Sequence, residues 1–155
     1  MANWVIDLVN SLRDKTATAP LPPFIIHLKL DESMQIDEAE HGRVVQNWTP
    51  GPQFAMPDGF VQGGLFCTIA DISQGVAMLT TLDQFENWAT LDFHIRFMRL
   101  VRVGEVVRIE SKVVNKSRNN AVIETSFAIV GGKPIARVTG GWARSDRERQ
   151  WGVMN

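Results

Sequence analysis

Residues 64–82 read Gly-Leu-Phe-Cys-Thr-Ile-Ala-Asp-Ile-Ser-Gln-Gly-Val-Ala-Met-Leu-Thr-Thr-Leu, and the fold turns on them. At about 100° per residue, Leu65, Ile69, Ile72, Val76 and Leu79 fall on one narrow stripe. Most other positions are small or apolar, so the spacing predicts a helix buried on most sides. Gly75 in its interior costs about 1 kcal/mol relative to Ala, which points to a ligand or another backbone passing close. The stretch holds a single charge, Asp71. A carboxylate in an apolar helix is costly unless it is paired or hydrogen-bonded. Two readings stand: a structural bond to backbone or arginine, or a functional group.

Working outward, Gln62-Gly63-Gly64 leads into the helix from a loop over 50–64 that holds three prolines and four glycines. Glycines let a ligand approach the backbone, and free N–H groups at a helix start attract negative charge, so this is either an anion or oxyanion site or merely a turn. Beyond the helix the period becomes two. Leu91, Phe93, Ile95 and Phe97 alternate with Thr90, Asp92, His94 and Arg96. Strands are expected at roughly 105–116, 121–130 and 133–144, with tight turns at Asn119-Asn120 and Gly131-Gly132. Before the helix, 34–39 and 43–49 form a hairpin about His41-Gly42, while 24–30 fits a strand or a short helix. Trp4, Val5, Leu8, Val9 and Leu12 mark an amphipathic helix over 3–15, placed on the outside and ended by Pro20, Pro22 and Pro23. The pattern is a hairpin, a buried helix and a four-strand meander. One antiparallel sheet wrapped round one central helix satisfies it, an α+β fold. The divisions are an N-terminal helix and connector (1–23), the main domain (24–144) and a polar tail (145–155) containing Trp151.

Composition narrows the function. The 155 residues suit one domain, and the net charge of −1 argues against a nucleic-acid surface. Cys67 is the lone cysteine, which excludes an internal disulfide and a cysteine zinc site. The start lacks a basic leader and no apolar run is long enough to span a bilayer, so a soluble cytoplasmic protein is expected. His27, His41 and His94 show no metal-ligand spacing, and no Gly-x-Ser-x-Gly elbow, P-loop or His-Glu-x-x-His occurs. Neither metal nor cofactor is expected. Gly64 and Asp71 are seven residues apart, roughly 10 Å along a helix at about 1.5 Å each. One carbonyl cannot touch both, whereas two antiparallel central helices in a two-fold dimer would pair Asp71 of one chain with Gly63 of the other.

Val61-Gln62-Gly63-Gly64-Leu65, Ala70-Asp71, Thr90-Leu91-Asp92-Phe93-His94-Ile95 and Gly104-Glu105 resemble the hotdog-fold thioesterases, most of all the phenylacetate-pathway (PaaI-like) acyl-CoA thioesterases. The resemblance covers about residues 40–143. It implies a hotdog fold, a homodimer or homotetramer with sites at the subunit interface, and metal-free hydrolysis of acyl-CoA thioesters. By the same resemblance Asp71 is the nucleophile or general base, Gly63 or Gly64 supplies the oxyanion N–H, and Thr90 positions the water. Two positions depart from the pattern. Gln62 stands where many members have His, and it orients a thioester through its amide without titrating. Met56 stands where many have Asn. Gly75 and Met56 are expected at the substrate. Lys116 and Arg118 are the preferred partners for coenzyme A phosphates among basic residues that also include Arg99, Arg102, Arg144, Arg147 and Arg149. The rival reading is a non-catalytic acyl-CoA binding or sensing module. A hotdog hydratase is disfavoured because Asp37 and His41 lack the required spacing.

Overall fold

The computed structural model describes residues 4–18 and 20–146. Helix α1 (Trp4–Arg13) opens the chain, followed by the short helices α2 (Pro23–His27) and α3 (Leu30–Ser33). Of the two alternatives for 24–30 the short helix holds, ending at His27 before a turn at Leu28-Lys29. Pro23 sits in the first turn of α2, where its missing N–H and fixed φ fit. The hairpin comes next as β1 (Met34–Glu40) and β2 (Arg43–Trp48), turned through Gly42 at φ +73°. The long loop has its own order: a 3₁₀ turn over Pro52–Phe54 and single bridges Ala55 to Val61 and Phe60 to Arg102. Helix α4 (Gly63–Leu79) follows, then β3 (Trp88–Phe97), β4 (Val107–Lys116), β5 (Asn120–Ile129) and β6 (Pro134–Arg144).

All six strands form one antiparallel sheet in the order β1-β2-β4-β5-β6-β3, with α4 laid across one face. This is the expected α+β hotdog. The expected four-strand meander is corrected, because only β4-β5-β6 run as one. β3 pairs with β6 at the far edge, and β4 pairs with β2. Local period and turn signals carry no information on which edge receives β3.

The buried face of α4 also differs from the expected stripe. Phe66, Ile69, Ala70, Ser73, Gln74, Ala77 and Met78 are buried, and of the expected set only Ile69 is among them. Ser73 and Gln74 go inside because a hydrogen-bonded network receives them. The Ser111 hydroxyl donates to Ser73 at 2.8 Å and lies 2.7 Å from the Thr125 hydroxyl. Gln74 donates to Thr125 at 3.0 Å and accepts from the Trp142 indole at 2.8 Å. Buried polar groups satisfied in this way are tolerated in a core. The opposite stripe, Gly64, Thr68, Asp71 and Gly75, stays exposed or half-buried in the single chain.

Aromatic packing fixes the start of α4. Phe66 meets Trp48, Phe127 and Phe97 edge-to-face at 5.6, 5.2 and 5.8 Å between ring centres, and Trp48 meets Phe54 at 5.1 Å. Two backbone bonds pin the entry, Val61 N–H to Val101 at 2.8 Å and Gln62 N–H to Phe54 at 3.0 Å. α1 packs on the outer edge of the sheet, against β1. Val9 is buried with Ile36, Val44 and Ala77, so the helix closes the β1 end of the sheet. The expected tail lies outside the described residues from 147 onward, and with it Arg147, Arg149 and Trp151.

Candidate active site

Asp71 stands on the exposed stripe of α4, and the Thr90 hydroxyl donates to its Oδ1. Simple alternation along β3 puts Thr90 on the opposite face of the strand. A bulge at Leu91 reverses this: Thr90 pairs with Trp142, yet Asp92 already pairs with Gly141. The extra residue shifts the parity. Thr90 thus joins Phe93 and Ile95 on the helix side, and Leu91 is pushed out to 64 % exposure. The Asp92 carboxylate staples the bulge by accepting from the Gly141 N–H at 3.1 Å. Sequence reading missed this role of Asp92. The available signal was an Asp inside an alternating strand, opposite Gly140-Gly141.

Asp71, Thr90 and Gly75 line a cavity of about 740 Å³. Its walls are largely aliphatic and aromatic, with Ile72, Val76 and Leu79 from α4 and Trp88 from β3. No other backbone comes close at Gly75: a Cβ there would meet only the Trp142 ring, at an ordinary 3.7 Å. The expected close backbone is corrected, and the ligand side of that expectation remains.

The other expected site residues lie elsewhere in the single chain. Gly63 and Gly64 are the first two residues of α4, and N–H groups at that position have no intrahelical acceptor. Gln62 is the N-cap, its side-chain oxygen accepting from Leu65 N–H at 3.2 Å. The Phe97 ring closes over Gly63, 3.3 Å from where a Cβ would stand. Met56 is half-buried in the preceding loop, its N–H bonded to Phe60 at 2.7 Å. At the opposite end of the helix, the Lys116 ammonium donates to the Thr81 carbonyl at 3.2 Å and lies over the Trp88 ring. Arg118 is exposed in the β4–β5 turn. None of these six residues lines the Asp71 cavity. Within one chain, then, Asp71, Thr90 and Gly75 come together, while the helix-start group lies about 10 Å along the axis.

An antiparallel sheet curled on one long helix defines the hotdog class, and here the helix also presents a carboxylate to a cavity. Residues 58–133 match the family model of the thioesterase superfamily, and the fold is a hotdog. The matched span contains Gln62, Gly63, Gly64, Asp71, Gly75, Thr90, Lys116 and Arg118, and leaves out Met56. A protein of Saccharolobus solfataricus named as an esterase is 29% identical over 109 residues, 70% of this chain and 76% of its own length. Among solved structures, a phenylacetic acid degradation-related protein of Ralstonia eutropha superposes with a TM-score of 0.74 at 20% identity, covering 91% of this chain and 99% of that one. A hypothetical thioesterase of Streptococcus pneumoniae, solved with coenzyme A, gives 0.69 at 17% identity over 81% of this chain and 99% of its own. That neighbour is also known with an aspartate or a threonine replaced by alanine.

Among the described residues, no group of His, Cys, Asp and Glu is placed to hold a metal ion. No described helix is long and apolar enough to cross a membrane.

Proposed function

We propose that the protein hydrolyses acyl-CoA thioesters as a homodimer or a larger homo-oligomer. The observation that carries this reading is the Thr90 hydroxyl bonded to the Asp71 carboxylate at the wall of an apolar cavity. Asp71 attacks the thioester carbonyl, or takes a proton from water that attacks it. Thr90 holds the carboxylate with its hydrogen and keeps its lone pairs for that water. The carbonyl oxygen gains the negative charge, and the free N–H groups of Gly63 and Gly64 donate hydrogen bonds to it. Gln62 orients the thioester with its amide NH₂, since its oxygen is engaged at Leu65. In the general-base route the carbon–sulfur bond then breaks, and coenzyme A leaves as the thiol with the proton taken from water; in the nucleophilic route the thiolate leaves from a mixed anhydride with Asp71, which water hydrolyses to the free acid and the regenerated carboxylate, its remaining proton passing to the thiolate. Coenzyme A bound to the Streptococcus pneumoniae neighbour supports this ligand class.

The dimer supplies what one chain lacks. β3 is an unpaired sheet edge carrying exposed Leu91 and Phe97, and the exposed stripe of α4 runs beside it. Unpaired edges are templates for pairing with another chain. Two copies related by a two-fold would set Asp71 of one against Gly63 and Gly64 of the other, making two composite sites. Phosphates of coenzyme A fall to Lys116 and Arg118, which would act from the mouth of the assembled site.

The test is free-thiol release over a set of acyl-CoAs, with Asp71→Asn expected to abolish it while the fold and oligomer persist. Full activity in that variant would sink the assignment. Mixing Asp71→Asn chains with Gly64→Pro chains should return part of the activity, and no recovery after verified chain exchange counts against sharing. One observation favours a binding module instead: Gln62 is tied up as a helix cap and Met56 offers no polar group to a thioester. That reading expects saturable acyl-CoA binding with no thiol release.

A further inference from the structure

The cavity beside Asp71 is not made by the hotdog core alone. Leu12, Leu21 and Ile25 line it from the N-terminal segment, opposite Ile72, Val76 and Leu79 of α4. This segment lies outside residues 58–133, which carry the superfamily signature. Two sharp reversals steer it over the cavity. At the end of α1, Lys15 is left-handed at φ 56°, its N–H bonded to Leu12 and that of Thr16 to Ser11. This is the paired bonding of a Schellman cap, formed here without glycine. Pro20, Pro22 and Pro23 then stiffen the return. After α2, Lys29 reverses the chain again at φ 53° and delivers it to α3 and β1.

We infer that the acyl half of the substrate lies in this cavity, under the N-terminal segment, and that Leu21 and Ile25 set which acyl groups are accepted. The inference rests on the thioesterase reading of Asp71. A thioester carbonyl placed at Asp71 and Thr90 sets its acyl chain beside the apolar part of the same wall, Ile72, Val76 and Leu79 with Leu12, Leu21 and Ile25, while Arg13, Lys15, Asp31 and Glu32 also border the cavity. A volume near 740 Å³ is in the range that encloses an extended organic ligand. Acetyl would leave most of it unfilled. The substrate class is therefore a long aliphatic acyl group, and Leu12, Leu21 and Ile25 form the wall that measures it.

The experiment compares thiol release from acetyl-, octanoyl- and dodecanoyl-CoA by the wild type, Leu21→Trp and Ile25→Trp. Enlarging either wall residue should cut the ratio of kcat/KM for dodecanoyl- over acetyl-CoA by about tenfold or more. Ratios unchanged within about twofold in variants that melt near the wild type overturn the assignment. Ile25→Phe, a smaller increment, replaces any tryptophan variant that does not fold. If the wild type releases thiol from no acyl-CoA, the hydrolytic reading fails, and the cavity is then tested separately with dansyl-undecanoate. Saturable fluorescence enhancement, weakened about tenfold in Leu21→Trp, upholds the acyl cavity. Absence of binding, or equal binding by both proteins, overturns it.

Discussion

Gly140→Ala is expected to strike the molecule behind its candidate site. A Cβ at Gly140 would stand 2.0 Å from Gln74 Oε1 and 2.8 Å from Phe93 Cε1. The Gln74 side chain is fully buried, so it can yield only by giving up its partners, the Trp142 indole at 2.8 Å and the Thr125 hydroxyl at 3.0 Å. Each bond contributes about 1 kcal/mol net, and a buried indole N–H left unpaired adds a further 1–3 kcal/mol, so the loss should be about 3 kcal/mol or more. For a chain of 155 residues this is a fall in melting temperature of about 10 °C. Circular dichroism melts and urea titrations at one protein concentration measure it. The sharper readout is the cycle with Gln74→Ala, which removes the nearest clash and leaves only the Phe93 contact. Adding Gly140→Ala to Gln74→Ala should then cost far less than it does in the wild type, a coupling of about 2 kcal/mol or more. Effects that add to within about 0.5 kcal/mol would refute the reasoning. So would a single-variant loss below about 1 kcal/mol.

Three further outcomes can be checked. Asp92→Ala removes the acceptor that staples the Leu91 bulge to Gly141, so thiol release should fall about tenfold; Asp92→Asn, which keeps an acceptor oxygen, should recover part of it, and equal loss in both variants contradicts the staple. Glu110 titrates at about 2 rather than 4.5, held down first by the Arg43 guanidinium, then by Arg108 and Lys112 against the opposing effect of burial. A lowered carboxylate stabilises the fold fully above its unfolded pKa and loses that contribution as the pH falls through the folded one. Acid titration of stability should therefore show a loss between pH 4.5 and about 2 that Glu110→Gln flattens, by roughly 1 kcal/mol since the network is solvent-screened. Gln46 is buried in the cavity wall with its amide oxygen unpaired, so Gln46→Leu should stabilise by about 1 kcal/mol in denaturant titrations, and a clear destabilisation would show that the amide is satisfied in solution.

Sequence patterns revealed the helix, the strands and the Gly-Gly entry because these are local and periodic. The spacing from Gly64 to Asp71 already showed that both residues share a face. The buried face escaped because hydrophobicity was the only guide to it. Ser73 and Gln74 count as polar until Ser111, Thr125 and Trp142 are brought to them from strands 38 to 68 residues away. Thr90 beside Asp71 was reached through the family resemblance alone, for a different reason. A bulge depends on how two strands pair, so the period of one strand cannot show it, and strict alternation sends Thr90 to the wrong side. The placement of β3 at the sheet edge is likewise a long-range fact.

The buried polar face and the bulge account for each other. Filling the inner face of α4 with a closed polar network fixes the rotation of the helix, because turning it would break the bonds of Gln74 and Ser73 together. That rotation is what leaves Asp71 outward, on the side where the bulge presents Thr90. Trp142 joins the two halves: its indole bonds Gln74, its ring lines the cavity, and its backbone is the register partner of Thr90. The network therefore does more than stabilise a core, since it aims a carboxylate. It follows that Gln74→Leu, close in volume but unable to hold Trp142 or Thr125, should lower thiol release more than its effect on melting implies. A Thr125→Val variant, which leaves the Gln74–Trp142 bond in place, should affect stability more than turnover. If the two variants lose activity only in proportion to stability, the network holds the fold and does not aim the site.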